Sequence, residues 1–419
     1  MTLNRRLRSL SVPTSLLLVT GVLFWRKPDG FTNPQLWAED GTIFFRTAYL
    51  EGPRAILEPY SGYFHLFPRL VAALADLAPY AYTPALYNAA ALATTWAVVA
   101  KLHSSRLGLP APLAFSLMLA FVPHFTGEVF ANLTNAQWFL AILLFSTALQ
   151  DPPETQLELL GDLSVIVIAG LSTPAIVLAV PLLAYRVWKE PSVRLWCKAA
   201  LSAGVAAAQA TVFLQRPVVL APSPGHTSAS WADLLGRKTV GNLFLGRKAP
   251  YELPATALLA AGVLLLAWIV WRLARLRPLG SRFGLPSLAI GLALLTLVFY
   301  KFRHAADLLV PPAAAARYFY VPWVVLSWCL LLVLLEDRTW HRAVAAALLA
   351  AILHSSLTTV FRSPPLRDFQ WESYAPALEA REPIWIPINP PGWRIELAPP
   401  GPPREPPNRS SPSAAEPGR

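Results

Sequence analysis

The chain has 419 residues, 55% of them hydrophobic and 14% charged, and a formal net charge of +11. Soluble domains carry about 25% charged residues, so this composition excludes an ordinary water-soluble globule. The basic balance does not indicate nucleic acid, because Arg and Lys cluster at the ends of apolar runs, where they set topology in membrane proteins.

In chain order, Met1 to Trp25 places Arg5, Arg6 and Arg8 before an apolar run. The charge layout is that of a signal peptide. No small-residue cleavage site precedes Trp25 and Arg26, so the run reads as a retained first helix. Spans of roughly 20 apolar residues are expected near 10–25, 83–101, 110–124, 135–149, 158–171, 173–188, 195–214, 254–272, 284–301, 319–336 and 342–361. Between 158–171 and 173–188, Ser172, Thr173 and Pro174 mark either a tight turn or a kink. Residues 64–80, "FHLFPRLVAALADLAPY", hold Pro68, Arg69 and Asp76 and read as an interfacial or re-entrant helix.

Basic residues then fix the orientation. Lys101 and Arg106, Arg186, Lys189 and Arg194, Arg272, Arg275, Arg277 and Arg282, and Arg338 and Arg342 fall in alternate connections. An eleven-span topology puts all of them in the cytoplasm with the N-terminus, and the C-terminus outside. The expectation is an all-α polytopic protein of the cytoplasmic (inner) membrane with about eleven transmembrane helices, ten to twelve. Its transmembrane domain is 1–361, with extracytoplasmic loops 26–82, 215–253 and 302–318 and interfacial helices in the first. A short segment 362–397 and a disordered Pro-rich tail 398–419 follow. Cys197 and Cys329 lie in apolar segments and read as small core residues.

No P-loop, GxGxxG, HExxH, GxSxG or CxxC pattern is present, so no nucleotide cofactor is expected. Polar residues gather instead on the expected outer face. The first loop offers Glu39, Asp40, Glu58, Tyr60, Tyr63 and His65. The segment "PHFTGEVFANLTNAQW" adds His124, Glu128, Asn132, Asn135, Gln137 and Trp138. Later connections add His226, Asp233, Arg303, His304, Asp307, Arg317 and Tyr318. The bland readings are interface or core histidines for His65, His124 and His304, a snorkelling anchor for Arg317, and a helix N-terminal acid pair for Glu39-Asp40. Gly41 speaks against the last.

Sugar transfer from a lipid carrier suits this set. A carboxylate deprotonates the incoming hydroxyl or holds a divalent cation, magnesium or manganese, that neutralises a departing phosphate. A guanidinium binds the donor phosphate, and aromatic faces take sugar and lipid. Glu39 and Asp40, Arg317-Tyr318, and Trp37, Tyr60, Tyr63 and Trp138 supply these groups. Adjacent residues of an extended loop point oppositely, so Asp40 is expected to be the base and Glu39 a metal ligand or supporting partner. Gly41 would leave room for substrate.

With "AEDG" directly after the first span and "ARYFYVPW" late in the chain, residues 10–375 resemble the GT-C superfamily of integral-membrane glycosyltransferases, in topology more than in letters. The resemblance implies a polyprenyl-phosphate-linked sugar as donor and a glycan, lipid or protein acceptor in the cell envelope. The motif acid would act as base or metal ligand, and the late basic and tyrosine element would face the lipid phosphate. Glu128, His65, Tyr63, Trp138 and Gln137 are the further expected substrate contacts. Unlike larger members, the chain is expected to carry only the short segment 362–397 and no C-terminal globular domain. The alternative is a flippase or transporter of lipid-linked oligosaccharide. Transporters place ionisable groups or broken helices at the bilayer midplane, whereas these charges crowd one surface. A structural subunit of an envelope assembly is a third reading.

Overall fold

The structure, a computed structural model, describes residues 3–216, 232–276, 278–310, 315–359 and 361–397, with side chains from residue 12 and not at Asp307. His226 and the expected 398–419 tail lie outside them. The chain is mostly helical, and α-helices lie at or near each expected span: Leu3–Arg26, Thr83–Leu102, Pro112–Phe121, Ala136–Leu149, Gln156–Gly170, Ile176–Lys189, Val193–Gln215, Ala255–Arg275, Leu285–Lys301, Arg317–Glu336 and His341–Thr359. Five, Val193–Gln215, Ala255–Arg275, Gly280–Lys301 (a π-helical turn continuing into the Leu285 helix), Arg317–Glu336 and His341–Thr359, are by themselves long and apolar enough to cross a membrane. Large apolar side chains on two of them, Leu264, Val263 and Phe213, are exposed.

The uncertain pair resolves as two helices joined by a tight turn. Ser172 Oγ donates to Ile168 O, closing the end of Gln156–Gly170, and accepts from Phe67 N at 2.8 Å. Thr155 and Glu158 form a capping box at that helix's start, satisfying backbone donors reciprocally. Residues 64–80 contain only the ten-residue helix Leu66–Ala75. At 1.5 Å per residue it rises about 15 Å, half of a bilayer core. Leu77 beside it is 83% exposed.

The Ala136–Leu149 helix gives the molecule its two ends. Thr134 and Asn135 before it lie with Asp40, whereas Gln150 after it lies with Asp162. Fourteen residues separate these ends by about 21 Å. At the Gln150 end the basic connections converge. Lys198 Nζ and Arg106 Nη2 reach Asp162 Oδ2 at 2.9 and 2.7 Å, with Lys101 at 3.5 Å from Oδ1. Arg186 donates to the carbonyls of Ala148 and Gln150, Arg194 to those of Pro153 and Glu154, and Arg282 pairs with Asp151.

The other end carries a second core. Leu36, Phe44 and Phe45 pack with Tyr49, Tyr80 and Tyr87 and with Trp371, Leu378, Ile386, Ile388 and Ile395. Part of the short segment 362–397 belongs to this core, and its strands Trp385–Ile388 and Trp393–Glu396 form an antiparallel hairpin with Ile386 opposite Ile395. An otherwise all-α expectation gains one small β element. The first strand alternates, with Ile386 and Ile388 inward and Trp385 outward, the period-2 pattern of a half-buried strand. Ile395 faces inward opposite Ile386, and Trp393, on the same face opposite Ile388, is partly exposed at the strand's start.

Candidate functional site

Asp40 starts a π-helical turn, Asp40–Phe45, and Glu39 precedes it with φ −64° and ψ −21°. The acid pair is therefore helical, not extended as expected, and Gly41 sits inside the turn. A Cβ at Gly41 would lie 2.7 Å from Ile388 Cδ1 and 2.9 Å from Ile395 Cδ1. The glycine admits the hairpin, not a substrate. Upstream, Ala38 N donates to Asn389 O and Asn389 N to Leu36 O, straps that hold Ala38 at φ 42°. A non-glycine residue in this left-handed region costs about 1–2 kcal/mol, and it sits directly before the acid pair.

The two carboxylates have separate surroundings. Asp40 is 1% exposed. Its Oδ1 accepts from Thr134 N at 2.7 Å and Thr134 Oγ1 at 2.5 Å, tying the first polar loop to the second. Burial raises its pKa to about 6 against the Thr134 bonds, with a smaller push from Glu39. Glu39 is half-buried and acts electrostatically on Arg317 and Tyr60. Asp40 faces inward and Glu39 faces the polar rim.

The other expected residues assemble around that rim. Arg317, at the start of its helix and 36% exposed, pairs with Glu128 Oε2 at 2.9 Å. Tyr318 packs edge-on to Trp138 at 5.5 Å between ring centres, and its hydroxyl accepts from Lys301 Nζ at 3.3 Å. Tyr63 donates to Gln137 Oε1 at 2.7 Å. His65 stacks on Tyr63 at 4.0 Å and is 2% exposed. Burial lowers its pKa to about 3, so it is a neutral wall rather than an open contact. Trp37 and Tyr60 are half-buried in the same region. Asp233 lies elsewhere, paired with Arg237 at 2.5 Å.

The sequence reading missed Lys27. Its Nζ donates to Phe130 O at 2.6 Å, and the side chain is buried. Burial lowers its pKa to about 8, and the fields of Asp40, Glu128 and Asp29 oppose that shift. Its neighbour Arg26 is fully buried, donating to Val122 O at 2.9 Å and to Ala120 O. A signal was available: Arg26 and Lys27 stand at the expected outer end of the first span, against the positive-inside pattern.

The site therefore combines an accessible carboxylate, an enclosed one, a buried ammonium, a guanidinium–carboxylate pair and a rim of aromatic rings. Such a set can accept a proton, hold an anionic oxygen and cover a ring-shaped ligand. Compared with protein-family models, curated proteins and solved structures, the chain matches none.

Proposed function

We propose that the chain is an integral-membrane glycosyltransferase of the GT-C type, moving a sugar from a polyprenyl-phosphate donor to a glycan, lipid or protein acceptor. The reaction takes place on the extracytoplasmic face of the cytoplasmic membrane. The long apolar helices cross the membrane with the shorter apolar helices packed among them, and the Asp162 end lies in the cytoplasm. The observation that carries this reading is the meeting of Glu39-Asp40 with Lys27, Arg317 and the Tyr63–Trp138–Tyr318 rim at one end of an apolar helical bundle.

Burial moves the role of base from Asp40 to Glu39. Glu39 takes the acceptor hydroxyl's proton as the acceptor oxygen bonds to the anomeric carbon. The bond from that carbon to the phosphate oxygen breaks, and its electron pair leaves with the polyprenyl phosphate. Arg317 holds the phosphate, exchanging its Glu128 partner for phosphate oxygens. Lys27 adds positive potential from behind the site. Asp40 is a positioning residue that holds Thr134, and with it the loop bearing Glu128. Were a magnesium or manganese ion bound, Glu39 would be the carboxylate to hold it, and the ion would neutralise charge on the leaving group.

Purified chain in lipid vesicles, given a set of radiolabelled polyprenyl-phosphate sugars and an envelope extract, should transfer label to the extract. Glu39→Gln should lower the rate by at least about 10²-fold, the usual cost of losing a general base, with expression unchanged. If label crosses the vesicle membrane without transfer, the transporter reading replaces this one.

A further inference from the structure

A cleft of about 370 Å³ opens beside the acid pair's supporting core, within the roughly 300–1,000 Å³ of small-ligand sites. Asn33, Gln35, Asp368, Gln370, Glu372 and Tyr82 carry its chemistry. The planar groups are already arrayed. Gln35 Nε2 donates to Asn33 Oδ1 at 2.8 Å and to Asp368 Oδ1 at 3.3 Å, while Asp368 Oδ1 also accepts from Gln370 N at 2.7 Å. Gln370 is held at φ 53°, a left-handed conformation that a non-glycine residue keeps only when its surroundings impose it. Tyr82 is 60% exposed, a free aromatic face at the rim. Trp371 fixes one wall through Nε1 to Tyr80 O at 2.7 Å and edge-on packing against Phe45 of the Asp40 turn.

No Lys, Arg or His lines the cleft among the described residues. Two carboxylates without a cation repel phosphates and acidic sugars. Amides and carboxylates together donate to and accept from hydroxyl groups, and an aromatic face takes the C–H face of a sugar ring. We infer that this cleft binds a neutral saccharide, the acceptor chain of the reaction proposed above. Its acceptor role rests on that reading, but its binding does not. The Thr32–Gln35 wall of the cleft continues along the chain into Leu36–Asp40, so the cleft and the acid pair are carried by one segment.

The test is equilibrium binding to the purified full chain in lipid nanodiscs, without donor. The probes are maltotetraose, cellotetraose and mannotetraose, an oligogalacturonate, and a neutral tetrapeptide. At least one neutral tetrasaccharide should bind saturably and more tightly than the oligogalacturonate and the peptide. Glu372→Ala with Asn33→Ala should weaken it at least tenfold while leaving the melting temperature at the parental value, and Tyr82→Ala alone should weaken it too. Absence of neutral-saccharide binding, binding unmoved by these substitutions, or preference for the acidic sugar or the peptide would overturn the inference. Because no donor is present, a chain that binds saccharide yet transfers nothing refutes the transferase reading alone.

Discussion

At the residue scale, Glu39 and Asp40 show how far one-letter reasoning reaches. Their presence in an apolar stretch drew attention to them, but their separate surroundings follow from burial, which adjacent letters do not encode. Asp40 carries a pH signature. Its folded pKa of about 6 lies above its ordinary 3.8. The stability it contributes is therefore full below about pH 4 and lost as pH rises through about 6, on the order of 3 kcal/mol in total. Asp40→Asn should remove that dependence, so its melting temperature should gain on the parent's between pH 4 and pH 7. A constant difference across that range would show that the enclosed carboxyl does not titrate this way. Arg317 stood out by type and place as a candidate to hold a phosphate, but its pairing with Glu128 was not legible. Arg317→Lys keeps charge without the two-pronged guanidinium geometry. It should weaken binding of a polyprenyl-phosphate sugar roughly tenfold, about 1.4 kcal/mol, in a vesicle titration. Unchanged affinity would leave Arg317 as an anchor only.

At the element scale, the helices were legible because apolar runs of bilayer length have few other destinations. The hairpin was not. "IWIPINPPGWRIEL" is short and Pro-rich, and its alternation shows only once the inward face has a partner. That partner is the Asp40 turn, read beforehand as extended because Gly41 follows. A helix-breaking glycine and a contact-permitting glycine look identical in sequence. Replacing Gly41 with Val should push Ile388 and Ile395 off the turn and cost about 1–3 kcal/mol, the usual price of overpacking. The measurement is apparent thermal stability together with protease cleavage near the hairpin. A variant as stable and protease-resistant as the parent would mean that the hairpin yields freely.

At the scale of the whole molecule, the Ala136–Leu149 helix separates the Asp40 cluster from the end where the basic connections converge on Asp162. The alternation of basic loops made this separation legible; the hub on which they converge was not. Asp162 is nearly fully buried among Lys101, Arg106 and Lys198. Removing one member of such a buried set leaves uncompensated charge and costs about 3–5 kcal/mol. Asp162→Asn should thus lower yield and melting temperature sharply, far more than Asp151→Asn at the half-exposed contact with Arg282. Equal, small effects would show that water screens the hub. Sidedness is checked with single cysteines at Ser61 and Ser281 in intact cells. An impermeant thiol reagent should modify the first and spare the second, and the reverse would invert the proposed orientation.

The hairpin's position has a consequence in time. Arg46 beside the acid turn donates to Glu396 O across 350 residues of sequence. Contacts this distant form late in folding, and here one partner emerges from the ribosome long after the other has entered the membrane. A nascent chain already exposes its carboxylates, but the wall behind Gly41 is missing until the last strand arrives. The acid turn therefore gains the Ile388–Ile395 wall that Gly41 admits only once the hairpin has been made and docked.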